Sequence, residues 1–355
     1  MLLKEAAGQI IIAGYEGERP SIPLEGAIKT GKIGGVILFR RNFTSLEQIA
    51  AQNEALASMA PEGFPLFLCV DQEGGKVQRI KGDLAATTLP AAMQCMGKKT
   101  ETVYELGRVM AKELKALGFN LNFAPVVDIH TNPENPIIAD RAYACTKEEV
   151  SLYSRQIIRA HNDIGIASCA KHFPGHGDTD SDSHTSLPVL NFNIDALRER
   201  ELVPFVSAIE EGVPMIMTAH ILLPNMGTRH PATLSSCLID DVLRKELGFE
   251  GVIVSDDLEM DAIVDNYSII RATVLGLHAG VDAFIVSKSQ RLWHNLRDQL
   301  VKAAEDDEQL RNAIHVAAER VLECKKRYKA EVSSDWQKIV ACKEHREFIQ
   351  KHFNG

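Results

Sequence analysis

The segment Gly248-Phe249-Glu250-Gly251-Val252-Ile253-Val254-Ser255-Asp256-Asp257 carries the clearest signal of the fold class. Gly248 follows an amphipathic segment and suits the left-handed residue that ends a helix. Gly251 to Val254 is a short, apolar, β-branched run with the length of a buried strand. Two carboxylates follow this run almost at once. The order of helix, glycine, buried strand and polar tip is typical of a βα unit in a parallel sheet.

Seven further apolar runs occur along the chain, and longer amphipathic segments separate them. The eight candidate strands are Ile10 to Gly14, Gly35 to Phe39, Leu66 to Val70, Leu121 to Ala124, Ala167 to Ala170, Met215 to Thr218, Gly251 to Val254 and Asp282 to Val286. Since no Pro/Ser-rich linker interrupts them, they predict an α/β fold with one (β/α)8 TIM-type barrel, and residues 1–355 as a single domain. The part from about residue 306 to 355 is predicted to add C-terminal helices on the outside.

Helix boundaries are also visible in the sequence. Thr44 and Thr146 each precede a glutamate by three positions, Glu47 and Glu149, which predicts two N-terminal capping boxes. Five glycines end a helical pattern before a strand and are predicted to adopt positive φ angles. These glycines are Gly118, Gly165, Gly212, Gly248 and Gly280.

Composition narrows the class of protein. The chain has 39 basic and 48 acidic residues, a formal net charge of −9, which disfavours nucleic acid as a partner. Charge appears at Lys4 before any long apolar stretch, so neither a signal peptide nor a membrane span is expected. The seven cysteines are scattered and never spaced C-x-x-C, which favours reduced thiols over structural zinc. The sequence therefore predicts a soluble, cytoplasmic globular protein.

Polar residues follow four of the predicted strands, either directly or after one intervening residue. They are Asp71, the pair Lys171-His172, His220 and the pair Asp256-Asp257. Active sites of TIM-type barrels lie at the C-terminal ends of the strands, so we expect these residues to share one rim. Each of them alone is equally well explained as a helix cap or a solvated loop residue, and only their coincidence points to a site.

The segment Lys171-His172-Phe173-Pro174-Gly175-His176-Gly177-Asp178-Thr179-Asp180-Ser181-Asp182-Ser183-His184 contains three histidines and three aspartates. Its glycines and proline predict a long functional loop. Within it, Asp182 and His184 have the spacing of a carboxylate that orients an imidazole for proton transfer. The spacing fits a structural tie equally well, or a metal site formed by His172, His176, Asp178 and His184.

Asp256 is the residue best placed to act as a nucleophile, because a carboxylate at the tip of an apolar strand is rigidly held and partly desolvated. Asp257 points elsewhere on an extended backbone and is expected to cap the next helix or to orient a neighbour. Arg79, Arg141 and Lys171 are candidates for binding hydroxyls or a carboxylate of a substrate.

These motifs, in this order, resemble glycoside hydrolase family 3, and specifically its bacterial single-domain β-N-acetylglucosaminidases of cell-wall recycling. The resemblance runs from Gly34 to Asp282 and covers nearly the whole barrel. Its motifs are Val70-Asp71-Gln72-Glu73-Gly74-Gly75, Lys171 to Thr179, Asp182-Ser183-His184, Pro231-Ala232-Thr233-Leu234-Ser235 and Gly251 to Leu258.

The resemblance implies roles for individual residues. Asp256 takes the position of the nucleophile, His184 that of the general acid/base and Asp182 that of its orienting partner. The positions that bind the terminal sugar in relatives correspond here to Asp71, Arg79, Arg141, Lys171 and His172. The implied activity is a retaining exo-β-N-acetylglucosaminidase that acts on peptidoglycan (muropeptide) fragments and needs no cofactor.

Three alternatives stay open at the level of the sequence. One is a metal-dependent hydrolase that uses His172, His176 and His184. Another is a β-glucosidase of the same family, although the Asp182-Ser183-His184 motif argues against it. The third is a sugar-binding module without enzymatic activity.

Overall fold

A computed structural model of the chain describes residues 1–179 and 187–353. Each of the eight predicted apolar runs forms one strand, and two further short strands lie between the third and fourth runs. The strands are β1 (Ile11–Ala13), β2 (Gly35–Leu38), β3 (Phe67–Val70), β4 (Gln72–Gly74), β5 (Val77–Gln78), β6 (Leu121–Asn122), β7 (Ala167–Phe173), β8 (Met215–Thr218), β9 (Val252–Asp257) and β10 (Ala283–Val286).

Eight of these strands pair in parallel and close into a barrel, in the order β1-β2-β3-β6-β7-β8-β9-β10. The barrel closes at β1, where Ile12 pairs with Gly35 of β2 and with Ile285 of β10. Strands β4 and β5 form an antiparallel hairpin directly after β3. The prediction of a (β/α)8 TIM-type barrel is confirmed.

Helices alternate with the barrel strands. They are α1 (Leu3–Gln9), α2 (Ile22–Lys29), α3 (Leu46–Ser58), α4 (Thr100–Ala116), α5 (Lys147–Ile164), α6 (Ile194–Ala196), α7 (Val203–Glu210), α8 (Asp261–Val264), α9 (Ile269–Ala279), α10 (Gln290–Ala303), α11 (Glu308–Arg327), α12 (Trp336–Ile339) and α13 (Lys343–Phe353). Leu197–Glu201 and Cys237–Glu246 are wound as π-helix. Across residues 1–179 and 187–353, no helix has the length and apolar character needed to cross a membrane.

The predicted helix boundaries are mostly confirmed. All five glycines have positive φ angles, and Gly165 after α5 has φ +80° with its N–H donated to the His161 carbonyl. Thr146 caps α5, where its hydroxyl accepts from the Glu149 N–H. The prediction for Thr44 is wrong by one residue. Ser45 caps α3 and accepts from the Gln48 N–H, because the neighbouring Ser45–Gln48 pair offers the same chemistry one position later.

Two strands run further than their apolar residues predict. Strand β7 continues through Lys171 and His172 to Phe173, and β9 continues through Asp256 to Asp257. Parallel pairing with the neighbouring strands extends this far, since Phe173 pairs with Thr218. The polar residues at these tips are therefore held by the sheet itself and not by flexible loops.

Helix α11 covers the N-terminal end of the barrel. Val321 and Tyr328 pack against the side chains that fill the barrel interior, among them Phe67. Lys325 is fully buried at this end, and its ammonium donates to Gln9 Oε1 at 2.9 Å. The opposite, C-terminal end of the strands carries the polar residues that the sequence analysis singled out.

Candidate active site

A cavity of about 260 Å³ lies at the C-terminal ends of the barrel strands. Barrel-interior side chains, including Phe123, Met217 and Ile285, contribute apolar surface to it. The predicted nucleophile and the five predicted substrate-binding residues also line it: Asp71, Arg79, Arg141, Lys171, His172 and Asp256. Residues separated by up to 185 positions in the chain (256 − 71) thus meet at one site.

Lys171 is the centre of a charged cluster in the cavity wall. Its side chain is 3% exposed, and its ammonium lies 3.0 Å from Asp71 Oδ1 and 2.7 Å from Glu73 Oε1. Arg141 binds the same Glu73 carboxylate with two parallel hydrogen bonds of 2.8 Å. Burial opposes ionisation of Asp71, but Lys171 and Arg79 outweigh it and hold the pKa of Asp71 below its ordinary value. The cluster keeps paired charges in place where a ligand hydroxyl can exchange hydrogen bonds with them.

Arg79 connects this cluster to an aromatic wall. One guanidinium nitrogen of Arg79 donates to Asp71 Oδ2 at 3.3 Å, while its guanidinium lies 5.5 Å from the centre of the Phe39 ring. The guanidinium of Arg41 lies 4.4 Å from the same ring. Phe39 and Arg41 line the cavity as well, so this side of the pocket combines an apolar ring with two cations.

His172 is oriented by a buried carboxylate, Asp128. The His172 Nδ1–H donates to Asp128 Oδ2 at 2.7 Å, and the backbone N–H groups of His172 and His176 donate to the same carboxylate. This assignment of the tautomer leaves His172 Nε2 as the acceptor facing Arg141 Nη2 at 3.4 Å. Burial opposes ionisation of Asp128, but His172 outweighs it and lowers the pKa of that carboxyl. The imidazole of His172 is therefore fixed towards the cavity.

The loop after β7 packs closely on the chain that follows β6. A Cβ atom on Gly177 would lie 1.7 Å from the Ile129 carbonyl oxygen, so only glycine permits this approach. His176 contacts Thr179 Oγ1 through Nδ1 at 2.7 Å. Burial, with a smaller contribution from His172, lowers the pKa of His176 to about 4. His176 is therefore neutral near neutral pH.

Asp256 stands at the tip of β9 and is partly exposed on the cavity wall. Its Oδ1 accepts the backbone N–H of Asp257 at 2.8 Å, and its Oδ2 has no hydrogen bond among the residues that the structure describes. Burial opposes its ionisation, but His172, His220 and the Asp257 N–H outweigh it and lower the pKa of Asp256. A carboxylate with one tethered oxygen and one unengaged oxygen is suited to nucleophilic attack.

Asp257 has a different task. Its carboxylate accepts from the backbone N–H of Glu259 at 3.1 Å, from the Ser287 N–H at 3.3 Å and from the Ser287 hydroxyl. Burial raises the pKa of Asp257 to about 6, against the opposing effect of Ser287. Asp257 thus ties the tip of β9 to the chain after β10, as expected for a residue that orients its neighbours.

His220, the remaining predicted rim position, is buried beside the contact between Asp257 and Ser287. Its Nδ1 contacts Thr233 Oγ1 at 2.8 Å, and its Nε2 contacts the backbone carbonyl of Asp257 at 3.1 Å. Its position supports the backbone at the tip of β9 and contributes to the low pKa of Asp256.

The predicted acid/base His184 and its partner Asp182 lie outside the described residues. Their roles stay predictions. The hypothetical metal site also includes His184, so it extends beyond the described residues. Within residues 1–179 and 187–353, no three His, Cys, Asp or Glu side chains are arranged to hold a metal ion.

Sequence reasoning missed two carboxylates of this site, Glu73 and Asp128. A signal for Glu73 was present, because residues two apart on an extended chain share one side, and Asp71 had already been selected. Asp128 lies beyond the predicted end of the fourth strand. The chain there continues beside β7, with the Val127 N–H donated to the Lys171 carbonyl at 2.8 Å, and this long-range pairing has no local signature.

Comparison with known proteins identifies the family. Residues 2–324 match the model of the glycosyl hydrolase family 3 N-terminal domain. β-Hexosaminidase A of Pseudoalteromonas piscicida is 38% identical over 268 residues, which are 70% of this chain and 45% of that protein. The chain thus spans less than half the length of that relative. The β-hexosaminidase of Xanthomonas oryzae pv. oryzae is 33% identical over 296 residues, which are 81% of this chain and 86% of that enzyme.

Solved structures agree with this assignment. A family 3 β-N-acetylglucosaminidase from Paenibacillus sp. FPU-7 has a TM-score of 0.89 at 36% identity, over 99% of this chain and 68% of that one. Native NagZ from Neisseria gonorrhoeae has a TM-score of 0.77 at 28% identity, over 98% of both chains. Since the family model covers most of the sequence and the relatives are β-hexosaminidases, the chain belongs to glycoside hydrolase family 3, in its β-hexosaminidase group.

Proposed function

We propose that this chain is a retaining exo-β-N-acetylglucosaminidase that removes one terminal N-acetylglucosamine from the non-reducing end of its substrate. The observation that carries the proposal is Asp256, an ionised carboxylate on the wall of a cavity of about 260 Å³. Pockets for small molecules are typically ~300–1,000 Å³, so this one suits a single sugar ring and not a polysaccharide chain. The β-N-acetylglucosaminidases among the structural neighbours support the choice of sugar.

The terminal sugar is bound by Asp71, Arg79, Arg141, Lys171 and His172. These side chains offer charged donors and acceptors, and a hydrogen bond to a charged group is worth about 1.5–3 kcal/mol. Asp71 stands directly after β3 and Asp256 lies near the end of β9, and these strands are four apart in a barrel of eight. Asp71 and the nucleophile therefore approach the ring from opposite sides of the barrel, while Lys171 and His172 on β7 lie between them.

In the first chemical step, Asp256 Oδ2 attacks the anomeric carbon. The bond from C1 to the glycosidic oxygen breaks, and His184 gives its proton to that oxygen as the leaving group departs. Asp182 accepts a hydrogen bond from the other ring nitrogen of His184 and so selects the tautomer. The product of this step is a covalent glycosyl-enzyme on Asp256.

In the second step, water attacks C1 and His184 takes up the proton of the water. The bond between C1 and Asp256 breaks, and the carboxylate is restored. Two inversions at C1 release the sugar with its β configuration retained. The scheme uses no metal and no organic cofactor.

The natural substrates in this proposal are peptidoglycan (muropeptide) fragments, handled in the cytoplasm by a single barrel domain of residues 1–355. The likeness to NagZ and the unpatterned cysteines support this part. A comparison of muropeptides, chitin oligosaccharides and aryl N-acetyl-β-glucosaminides as substrates tests it, and equal rates on all three would count against the cell-wall assignment.

The experiment that tests the mechanism is trapping with an activated 2-fluoro sugar, followed by peptide mass spectrometry. We expect a stoichiometric adduct on the peptide that contains Asp256. Its absence, or an adduct on another carboxylate, would disprove the proposed nucleophile.

The metal-dependent hydrolase is the second candidate, and it uses His172 of β7 and His176 of the loop that follows. Dialysis against a chelator separates the two, since the proposed glycosidase keeps its activity and a metalloenzyme loses it. An assay with an aryl β-glucoside tests the other enzymatic alternative, a β-glucosidase of the same family.

A further inference from the structure

A buried carboxylate, Glu113 of α4, joins three parts of the chain that are distant in sequence. Glu113 is 9% exposed, and its Oε1 accepts three hydrogen bonds. The donors are the Thr87 hydroxyl at 2.6 Å, the Ala341 N–H at 2.9 Å and His345 Nδ1–H at 2.7 Å. Helix α13 is thereby connected, through one oxygen atom, to the segment that follows the β4–β5 hairpin.

The segment that contains Thr87 forms the support of this hairpin. Gln78 Nε2 donates to the Thr87 carbonyl at 2.8 Å, and the Leu89 N–H donates to Gln78 Oε1 at 3.1 Å. The Gly75 N–H donates in turn to the Leu89 carbonyl at 3.1 Å. A Cβ atom on Gly74 would lie 2.2 Å from the Pro90 carbonyl oxygen, so the hairpin rests directly on this segment.

The hairpin carries three of the side chains at the sugar-binding wall. Asp71 precedes β4, Glu73 belongs to it and Arg79 follows β5. Gln72 holds the two strands together at the end of the hairpin away from its turn, because its Oε1 accepts from the Arg79 N–H at 3.0 Å. A shift of the supporting segment around Thr87 and Leu89 therefore moves the hairpin and these charged side chains with it.

Helix α13 makes a second polar contact with the same region. A guanidinium nitrogen of Arg346 donates to the Ala85 carbonyl at 3.0 Å. Helix α13 lies beyond residue 324, where the match to the family model ends. The connection therefore comes from a part of the chain outside the matched barrel.

We infer that α13 is a positioning element for the sugar-binding hairpin and that His345 is its positioning residue, acting through Glu113 and Thr87. That the hairpin binds a sugar rests on the proposed function. Without the donor of His345, the buried Glu113 carboxylate loses a hydrogen bond that compensates its burial and reorients away from Thr87. The support of the hairpin then loses its anchor.

The expected signature is a change in KM without a change in kcat. The hairpin binds the terminal sugar, while Asp256 stands on β9, four strands away around the barrel. A small displacement of the hairpin weakens sugar binding and leaves the nucleophile undisturbed. A merely stabilising helix would change neither constant at temperatures well below the unfolding transition.

The test compares four variants of the full-length chain on an aryl N-acetyl-β-glucosaminide. His345→Phe and Thr87→Val each remove one donor to Glu113, and each is expected to raise KM about 3- to 10-fold. His345→Gln retains an N–H donor and is expected to restore the wild-type KM. The matched control is His352→Gln, since His352 lies on the same helix and its side chain contacts the Phe348 ring but makes no hydrogen bond among the described residues.

A double variant identifies the route. If His345 acts through Glu113 on Thr87, the Thr87→Val/His345→Phe protein is expected to have the KM of a single variant and not the product of both effects. Multiplying effects would show two independent contributions and would overturn the proposed route.

Amide hydrogen exchange gives a readout that does not depend on activity. In His345→Phe, amides of residues 72–89 are expected to exchange faster, while those of β9 keep the wild-type rate. If the wild type fails to hydrolyse the aryl substrate, the proposed function is wrong, and the exchange data still decide whether α13 anchors the hairpin. Wild-type KM and wild-type exchange in His345→Phe, with only a lower melting temperature, would disprove the inference.

Discussion

Two lysines are buried at opposite ends of this barrel, and their charges are stabilised to different degrees. At the mouth, Lys171 lies within 3.0 Å of both Asp71 and Glu73, and these carboxylates outweigh the effect of burial and raise its pKa. At the other end, Lys325 is fully buried beside the neutral Gln9, and no carboxylate forms an ion pair with it in the described part of the chain. Burial lowers the pKa of Lys325 to about 7.

The difference shows that burial alone does not determine the charge of a side chain. Partners determine it, because an uncompensated charge in a low-dielectric interior costs several kcal/mol and a well-paired one much less. The mouth of the barrel holds a dense set of paired charges in a cavity that a ligand can enter. The closed end holds a single amine among apolar side chains. We therefore expect substitutions at the mouth to change catalysis and those at the closed end to change stability.

The largest effect is expected for Asp256→Ala at the mouth. The substitution removes the covalent route and should lower kcat on the order of 10⁴-fold or more. Steady-state kinetics with an aryl N-acetyl-β-glucosaminide measures it. Asp265→Ala, an exposed aspartate in the chain after β9, is the matched control and should keep wild-type kinetics. Retained turnover in Asp256→Ala would refute the role of Asp256.

His184→Ala tests the proposed proton donor. Proton transfer by a positioned group is worth about 10²–10⁴-fold, so glycosylation should slow strongly with a poor leaving group. An activated aryl leaving group needs little protonation and should be much less affected. Pre-steady-state rates with a pair of such substrates measure the contrast. Equal losses on both substrates would contradict an acid/base role for His184.

Lys171→Met tests the paired charges. Loss of one charged hydrogen bond of about 1.5–3 kcal/mol should lower kcat/KM roughly 10- to 100-fold. Because Asp71 and Glu73 then keep only Arg79 and Arg141 as cationic partners, the free energy of unfolding should also fall, by about 1.5–3 kcal/mol. Denaturant titration measures the second effect. A Lys171→Met protein as stable as the wild type would break the contrast between the two ends.

Lys325→Met tests the unpaired charge. In contrast to Lys171→Met, this variant is expected to have a higher free energy of unfolding than the wild type at low pH. The folded pKa of about 7 lies below the unfolded value of 10.5, so between these values the unfolded chain binds more protons. Wild-type stability should therefore rise with pH across this interval, relative to Lys325→Met, by up to about 1.4 kcal/mol per pH unit. The penalty is fully present below pH 7, where the variant should be the more stable protein. Its kcat and KM should equal those of the wild type.

Denaturant titrations of both proteins between pH 6 and 10 measure this difference. The comparison of the two proteins isolates Lys325 from the other groups that titrate at high pH. If both proteins show the same pH dependence, Lys325 carries its charge in the folded state and the low pKa is wrong.

The number and order of the barrel strands were predictable because each strand has a local signature. Gly165 and the run from Ala167 to Ala170 illustrate this, since the end of α5 and the start of β7 lie next to each other in sequence. The error at Thr44 has the opposite cause. Two adjacent pairs satisfy the same capping chemistry, and local sequence does not choose between them.

The candidate site was predictable to the extent that its residues follow strands. Asp71, Lys171 and Asp256 do so, and the structure brings them into one cavity. Asp128 was missed because its partner, His172, is 44 residues away and the carboxylate follows no predicted strand. Glu113 and His345 were missed for the same reason, since their contact joins residues 232 positions apart.

The barrel, its helices and the residue types at the strand tips follow from local sequence, because periodicity and helix-ending glycines act over a few neighbouring residues. The folded structure alone shows which charges are paired, which lysine lies beside a neutral neighbour, and which part of the C-terminal segment contacts the chain behind the β4–β5 hairpin. These outcomes depend on desolvation and on contacts between distant parts of the chain. No local pattern encodes them, since a side chain's environment is complete only when the barrel has closed.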